Sequence, residues 1–153
     1  MVSIGRIRKV RRLSDAKGAN LVEAAIITPL LLLLTFAIVD FAAMFYCYLA
    51  LEHGVSQATR YAVTGQQMSS GGAPIGREAS IKSAMRVAAP TLTIPDSAFS
   101  FSFMPANGSS WSSGLGGPND VGRVTINYTW QFMTPLIRPF FTGGQINLRV
   151  QST

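Results

Sequence analysis

Two carboxylates border the longest apolar run of the chain, Glu23 at its start and Asp40 towards its far end. A glutamate just inside an apolar segment is energetically costly, so it needs a positively charged partner. A simpler role for Glu23 is a favourable interaction with the dipole of a first helical turn. Lys17 and Gly18 stand upstream of it, and glycine leaves the backbone bare and flexible for a protease. These residue types indicate charge pairing at Glu23 and a flexible backbone at Gly18.

Asp40 is too far from Glu23 to pair with it within one chain, because about 25 Å of helix separates them at 1.5 Å per residue. Two alternatives are open for Asp40. Its side chain could lie solvated at the outer headgroup level of a membrane. It could instead pair with a basic group of a partner subunit, as an intramembrane or interfacial contact.

The rest of the chain offers no convincing set of catalytic residues. His53 is the only histidine, and no second ligand or nucleophile stands near it. Cys47 is the only cysteine, which excludes an intrachain disulfide and a cysteine cluster for metal. We therefore predict a structural or assembly protein, not an enzyme, with no cofactor and no metal site.

The apolar run predicts a helix that spans a membrane from Ala24 to about Phe45, since about 20 apolar residues suffice to cross the hydrocarbon core. Its strongly apolar side chains favour insertion by roughly 3 to 6 kcal/mol, and Asp40 opposes insertion by at most about 3.5 kcal/mol. Pro29 removes one helical hydrogen bond, so it bends the helix or marks its regular start.

The charge of the chain is concentrated at its start. Of the net charge of +6, residues 1–17 carry +5 and the remainder carries +1. A basic arm beside a membrane span predicts a cytoplasmic N-terminus and an outer C-terminal region. No aromatic or groove-reading element accompanies the basic residues, so we expect no nucleic-acid partner.

The basic leader, Gly18 and Glu23 together resemble the processing site of type IV prepilins. In that family a prepilin peptidase cuts after the glycine, here between Gly18 and Ala19, and removes the leader. The new amino group of Ala19 would be mostly charged at neutral pH and would lie four residues from Glu23, the spacing of neighbours on a helix. The resemblance implies that Glu23 of one subunit neutralises the amino terminus of its neighbour during assembly.

A longer stretch, residues 18–65, resembles the TadE-like family of tight-adherence (Flp, type IVc) pilus systems. The shared features are a Leu-Val-Glu ending at Glu23, Pro29 followed by five leucines, the run Val39-Asp40-Phe41, and the alanine-arginine-tyrosine stretch of residues 58–62. Two residues depart from related patterns. Prepilins usually carry a bulky residue where Ala19 stands, and the major pilin has tyrosine after the glutamate where this chain has Ala24.

The resemblance implies a minor pilin, or pseudopilin, that contributes to pilus assembly, surface adherence and biofilm formation. The implied partners are the prepilin peptidase, the major Flp pilin, TadF-like and TadG-like proteins, the inner-membrane assembly platform and the lipid bilayer. The implied location is the bacterial inner membrane, single-pass, with the C-terminal domain periplasmic or extracellular. Two alternatives remain: an uncleaved single-span scaffold of the same machinery, and a secreted binding domain whose mature chain starts near residues 44–51.

The predicted fold class is α+β. Residues 1–18 form a cleaved basic leader, 19–64 a long helix, and 65–153 an extracytoplasmic domain. A glycine- and serine-rich linker leads to a second helix over residues 76–89. Alternating patterns predict three strands, over 99–103, 124–132 and 146–150, in a mostly antiparallel sheet. The apolar face of this sheet should pack on the second helix and on the outer part of the first.

Two further features of the predicted outer domain concern its surface. The loops that carry Trp111 and Phe140-Phe141 could be docking surfaces or could fold back over a small core. The three basic residues of the second helix, Arg77, Lys82 and Arg86, are predicted to form its solvated face.

Overall fold

A computed structural model describes residues 13–153 of the protein, with side chains from Gly18 onwards. Residues 1–12, most of the predicted leader, lie outside the described residues. The first element, α1, spans Leu13–Val63 and has 51 residues, which makes it about 76 Å long. It begins inside the predicted leader and passes through Pro29 as helix, so Pro29 does not mark the helix start.

The domain that follows α1 is built from one helix and two antiparallel sheets. The strands β1, Ser69–Ser70, and β2, Ala73–Pro74, form a small hairpin, and α2 spans Arg77–Ala88. The larger sheet contains β3, Phe99–Met104; β4, Ser112–Ser113; β5, Val121–Gln131; and β6, Gln145–Ser152. Its strand order is β4-β3-β5-β6, and every adjacent pair is antiparallel.

The α+β class, the second helix and strands β3, β5 and β6 agree with the prediction, but the three-stranded sheet does not. The larger sheet has four strands and a second sheet has two. The added strands β1, β2 and β4 are two residues long and exposed. Segments of two residues are too short to show an alternation of apolar and polar residues, so the pattern that predicts strands does not detect them.

The register of the sheet places its apolar residues on one face. Phe99 pairs with Ile126, and Ile126 pairs with Val150 on its other side. Because side chains alternate along a strand, the residues two positions away from these share the same face. The alternation that predicted β5 therefore corresponds to a real inward face, of which Val124 and Ile126 are buried.

The hydrophobic core lies between this face, α2 and the second half of α1. Leu51, Val55 and Ala58 of α1 are buried in one cluster with residues of α2 and the sheet, including Ile81 and Met85. This is the predicted packing. The two helices approach closely at Gly54, where an added Cβ would lie 3.2 Å from Met85 Cε and 3.3 Å from Ala89 Cβ. Half of α1 therefore serves as a core helix of the domain.

Candidate functional site

The predicted cleavage site lies in the first half of α1, away from the domain. Gly18 and Ala19 are exposed, and no atom comes within 4 Å of a Cβ built on Gly18. Both residues are helical, since α1 begins at Leu13. Glycine inside a helix costs about 1 kcal/mol relative to alanine, so Gly18 is a weak point at which the helix can open.

Glu23 lies one helical turn after Ala19 and is also exposed. Its surroundings on α1 are apolar and exposed as well, among them Leu21, Val22 and Ile26. Within residues 18–153, the salt bridges join Lys82 to Glu78 and Arg86 to Asp96, and neither involves Glu23. The site thus presents a carboxylate on an apolar helical surface that the domain leaves open.

The exposed apolar segment runs from Ala19 to Val39. Of its residues only Leu33 and Ala37 are half-buried, and the others are exposed. α1 is the one helix in the described part of the chain that is long and apolar enough to cross a membrane. At 1.5 Å per residue the segment is about 31 Å long, close to the hydrocarbon thickness of about 30 Å. This helix fits a single-pass membrane protein.

Asp40 ends the exposed segment and attaches α1 to the domain. Its side chain is 1% exposed. Oδ1 accepts a hydrogen bond from the backbone N–H of Met133 at 3.2 Å, and Oδ2 accepts one from that of Thr134 at 3.0 Å. The solvated alternative for Asp40 is therefore wrong. A carboxylate can be buried here because two backbone donors compensate for its lost water.

Aromatic rings pack beside this attachment. The Phe41 ring meets the rings of Phe132 and Phe141 edge-on, with centroids 5.9 Å and 6.3 Å away. Phe132 and Phe141 stack on each other at 4.2 Å. Phe141 thus folds back over a small core, whereas its neighbour Phe140 is exposed. The fold-back alternative therefore holds for Phe141, and a docking role for Phe140 stays a prediction.

Arg77 has a structural role that the sequence did not indicate. Its Nη1 donates to the carbonyl of Gly116 at 2.9 Å, and its Nη2 donates to the carbonyl of Ala62 at 3.3 Å. It is half-buried, so its assignment to a solvated face is wrong.

Arg86 is exposed, as predicted, and its guanidinium donates a hydrogen bond to the Asp96 carboxylate. This hydrogen bond holds the pKa of Asp96 below its usual value.

The domain also contains a cavity of about 490 Å³ between the last turn of α1 and residues 114–124. Its polar lining includes Arg77, Asp120 and Arg123. Each makes a contact within the chain, since Asp120 Oδ2 accepts from the N–H of Gly117 and the Arg123 guanidinium lies 3.5 Å from the Trp111 ring centroid. These contacts hold the loops of the domain in place.

Within the described residues, the single cysteine and the single histidine form no catalytic or metal-binding cluster. Cys47 is a free, buried thiol, and burial raises its pKa. His53 lies exposed on α1. Across residues 18–153, no three side chains of histidine, cysteine, aspartate or glutamate come together as a metal site would require.

Comparison with known proteins links most of α1 to one family. The family model described as "TadE-like protein" matches residues 18–60. This range begins at Gly18 and contains Glu23, Pro29 and Asp40, and it confirms the resemblance that those residues suggested. Searches of curated proteins and of solved structures each returned no significant match. The matched residues all lie in α1.

Proposed function

Because residues 18–60 match the TadE-like family, which indicates involvement in a Tad pilus system, we propose that the protein is a minor pilin of that machinery. In this role a prepilin peptidase removes residues 1–18, and the mature chain begins at Ala19. The outer domain then caps, initiates or primes the fibre. Adherence and biofilm formation would follow from the pilus that the protein helps to assemble. The role is structural, without a catalytic step.

The observation that carries this proposal is the open surface around Glu23. A subunit that assembles through its helix needs that helix uncovered, and the domain leaves the segment from Ala19 to Val39 largely exposed. The cut would create a positive amino group four residues from Glu23. An exposed ion pair in water contributes little, but a carboxylate on a helix within the membrane would lose its solvation and depend on a partner.

The neighbouring subunit is the better source of that partner. Within one helix, Ala19 and Glu23 could meet as an i, i+4 pair, but such a pair would not favour assembly. Pairing between subunits neutralises both charges only when the helices pack together. The Glu23 carboxylate would therefore favour the association of subunits, and membrane insertion would not require it.

The alternative function is an uncleaved scaffold of the same machinery. One observation favours it: α1 is already helical from Leu13 through Gly18, so a protease must first open this helix. The departure at Ala19 from the usual bulky residue points the same way. In this case residues 1–18 would stay in place and Glu23 would have no terminal amine to neutralise.

The experiment that tests the assembly role compares two carboxylates on the same helix. We expect Glu23→Ala to leave membrane insertion unchanged or improved, and to reduce co-purification with the other pilins several-fold. The control is Glu52→Ala, because Glu52 is an exposed carboxylate on α1 outside the apolar segment. It should co-purify as the unmodified protein does.

The measurement is the amount of each variant in membranes and in pull-downs of pilins from the same cells. Wild-type co-purification of Glu23→Ala would show that the pairing proposed for Glu23 does not occur. An equal loss in both variants would mean that charge on α1, rather than this carboxylate, governs the interaction.

A further inference from the structure

The loop between β5 and β6, residues 132–144, has two apolar faces. Its inner face is packed, since Phe132 and Ile137 are buried. Its outer face exposes three large side chains, Met133 at 67%, Leu136 at 50% and Phe140 at 71%. Exposed apolar side chains gathered on one short segment are typical of a surface that contacts another molecule or a membrane.

The conformation of this loop is fixed by hydrogen bonds. The Ile137 N–H donates to the carbonyl of Thr134, and the Phe140 N–H donates to that of Ile137. Arg138 Nε donates to the carbonyl of Phe132 at 2.8 Å. The exposed side chains are therefore held outwards on a folded support.

The loop lies at the end of the domain nearest the exposed apolar segment. Asp40, whose carboxylate accepts from the N–H groups of Met133 and Thr134, is the first buried residue of α1 from Gly18 onwards. The other buried residues of α1 begin at Cys47 and follow towards its C-terminus. The outer face of the loop therefore begins where the helix surface open to lipid ends.

The length of the apolar segment determines where the β5–β6 loop lies relative to the membrane. If the 21 residues from Ala19 to Val39 fill the hydrocarbon core of about 30 Å, Asp40 and the loop reach the outer headgroup layer. The loop also has the charge that suits this layer. Arg138 is exposed, and residues 132–144 contain no carboxylate, so anionic phospholipid headgroups would attract the loop.

We propose that the β5–β6 loop is a second membrane contact, which inserts Met133, Leu136 and Phe140 into the interface of the outer leaflet. Its occupant is the phospholipid of the membrane that α1 spans. This inference rests on the membrane location within the proposed function. It also moves the span towards the N-terminus, from the predicted Ala24 to Phe45 to a segment over residues 19–39. The contact would fix the rotation and tilt of the domain before assembly.

The test places a fluorescent bimane probe at three positions of the full chain in vesicles that contain anionic phospholipid. Phe140→Cys reports the loop. Leu34→Cys reports the span, and Val87→Cys is the control, exposed at 74% on α2. Val87 lies between Met85 and Ala89, which pack at Gly54, about 21 Å along α1 from Asp40. Cys47 is buried, so the unmodified protein serves as the labelling blank.

Lipids with a nitroxide at a shallow acyl position quench nearby probes. We expect a clear loss of fluorescence at positions 34 and 140 and none at 87. Quenching at 34 with position 140 unquenched, as at 87, would overturn the loop contact while leaving the span intact. A probe at 140 that is shielded from both the nitroxide lipid and aqueous iodide would assign the face to a neighbouring subunit, which also overturns it. No quenching at 34 would remove the membrane span on which the inference rests.

Discussion

Asp40 connects two parts of the chain that are 93 residues apart in sequence. Its position could be singled out from the sequence because a carboxylate interrupts an apolar run. Its partners could not, because they are the backbone N–H groups of Met133 and Thr134. Backbone donors leave no trace in residue types, whereas a basic side chain would have done. Arg77 was misassigned for the same reason, since both of its acceptors are backbone carbonyls.

The Asp40 carboxylate should contribute to the stability of the domain. In Asp40→Asn one oxygen is replaced by an NH₂ group that faces a backbone N–H donor, so a buried polar group is left without a partner. We expect the free energy of unfolding to fall by about 1–3 kcal/mol. Urea unfolding of the detergent-solubilised protein measures this change.

The control for Asp40→Asn is Glu52→Gln, an exposed carboxylate on the same helix. Surface changes of this kind usually alter stability by about 0.5 kcal/mol or less. Equal unfolding midpoints for the two variants would show that the Asp40 hydrogen bonds do not hold the loop.

The helix α1 has two halves, and their surroundings differ. Its apolar composition predicts a membrane helix, and that prediction agrees with the exposed half from Ala19 to Val39. The second half is a core helix, in which Leu51, Val55 and Ala58 face α2 and the sheet. The spacing of these residues indicated an apolar stripe. How much of α1 the domain covers depends on loops that are distant in sequence. The local pattern of apolar residues therefore could not predict where the exposed half ends.

Gly54 decides how closely α1 and α2 can pack. A valine at this position would place methyl groups against Met85 and Ala89, which already lie 3.2–3.3 Å from the site of an added Cβ. We expect Gly54→Val to destabilise the domain by about 1–3 kcal/mol through overpacking. Thermal unfolding followed by near-ultraviolet circular dichroism would measure the loss.

Ser56→Val is the matched control for Gly54→Val, because Ser56 is an exposed residue on the same helix. It introduces the same β-branched side chain without a contact to α2. If both variants unfold at the temperature of the unmodified protein, the close approach of the helices at Gly54 contributes nothing to stability.

At the scale of the whole molecule, a single helix joins an open apolar segment to a folded domain. The family match covers residues 18–60, whereas the sheet and α2 are formed by later residues. The family match therefore covers both the open apolar segment and the part of α1 that packs into the domain, and Asp40 and Phe41 connect this helix to the loop between β5 and β6. In the proposed pilin the domain would follow the orientation of the helix that it is bound to.

Processing and assembly as a pilin, as we propose for this chain, would change its mass. The most direct measurement is the intact mass of the protein extracted from its own membranes, with and without the prepilin peptidase. We expect the mass of residues 1–18 to be lost only when the peptidase is present, which leaves a mature chain that begins at Ala19. A full-length mass in both samples would contradict it and would identify an uncleaved anchor.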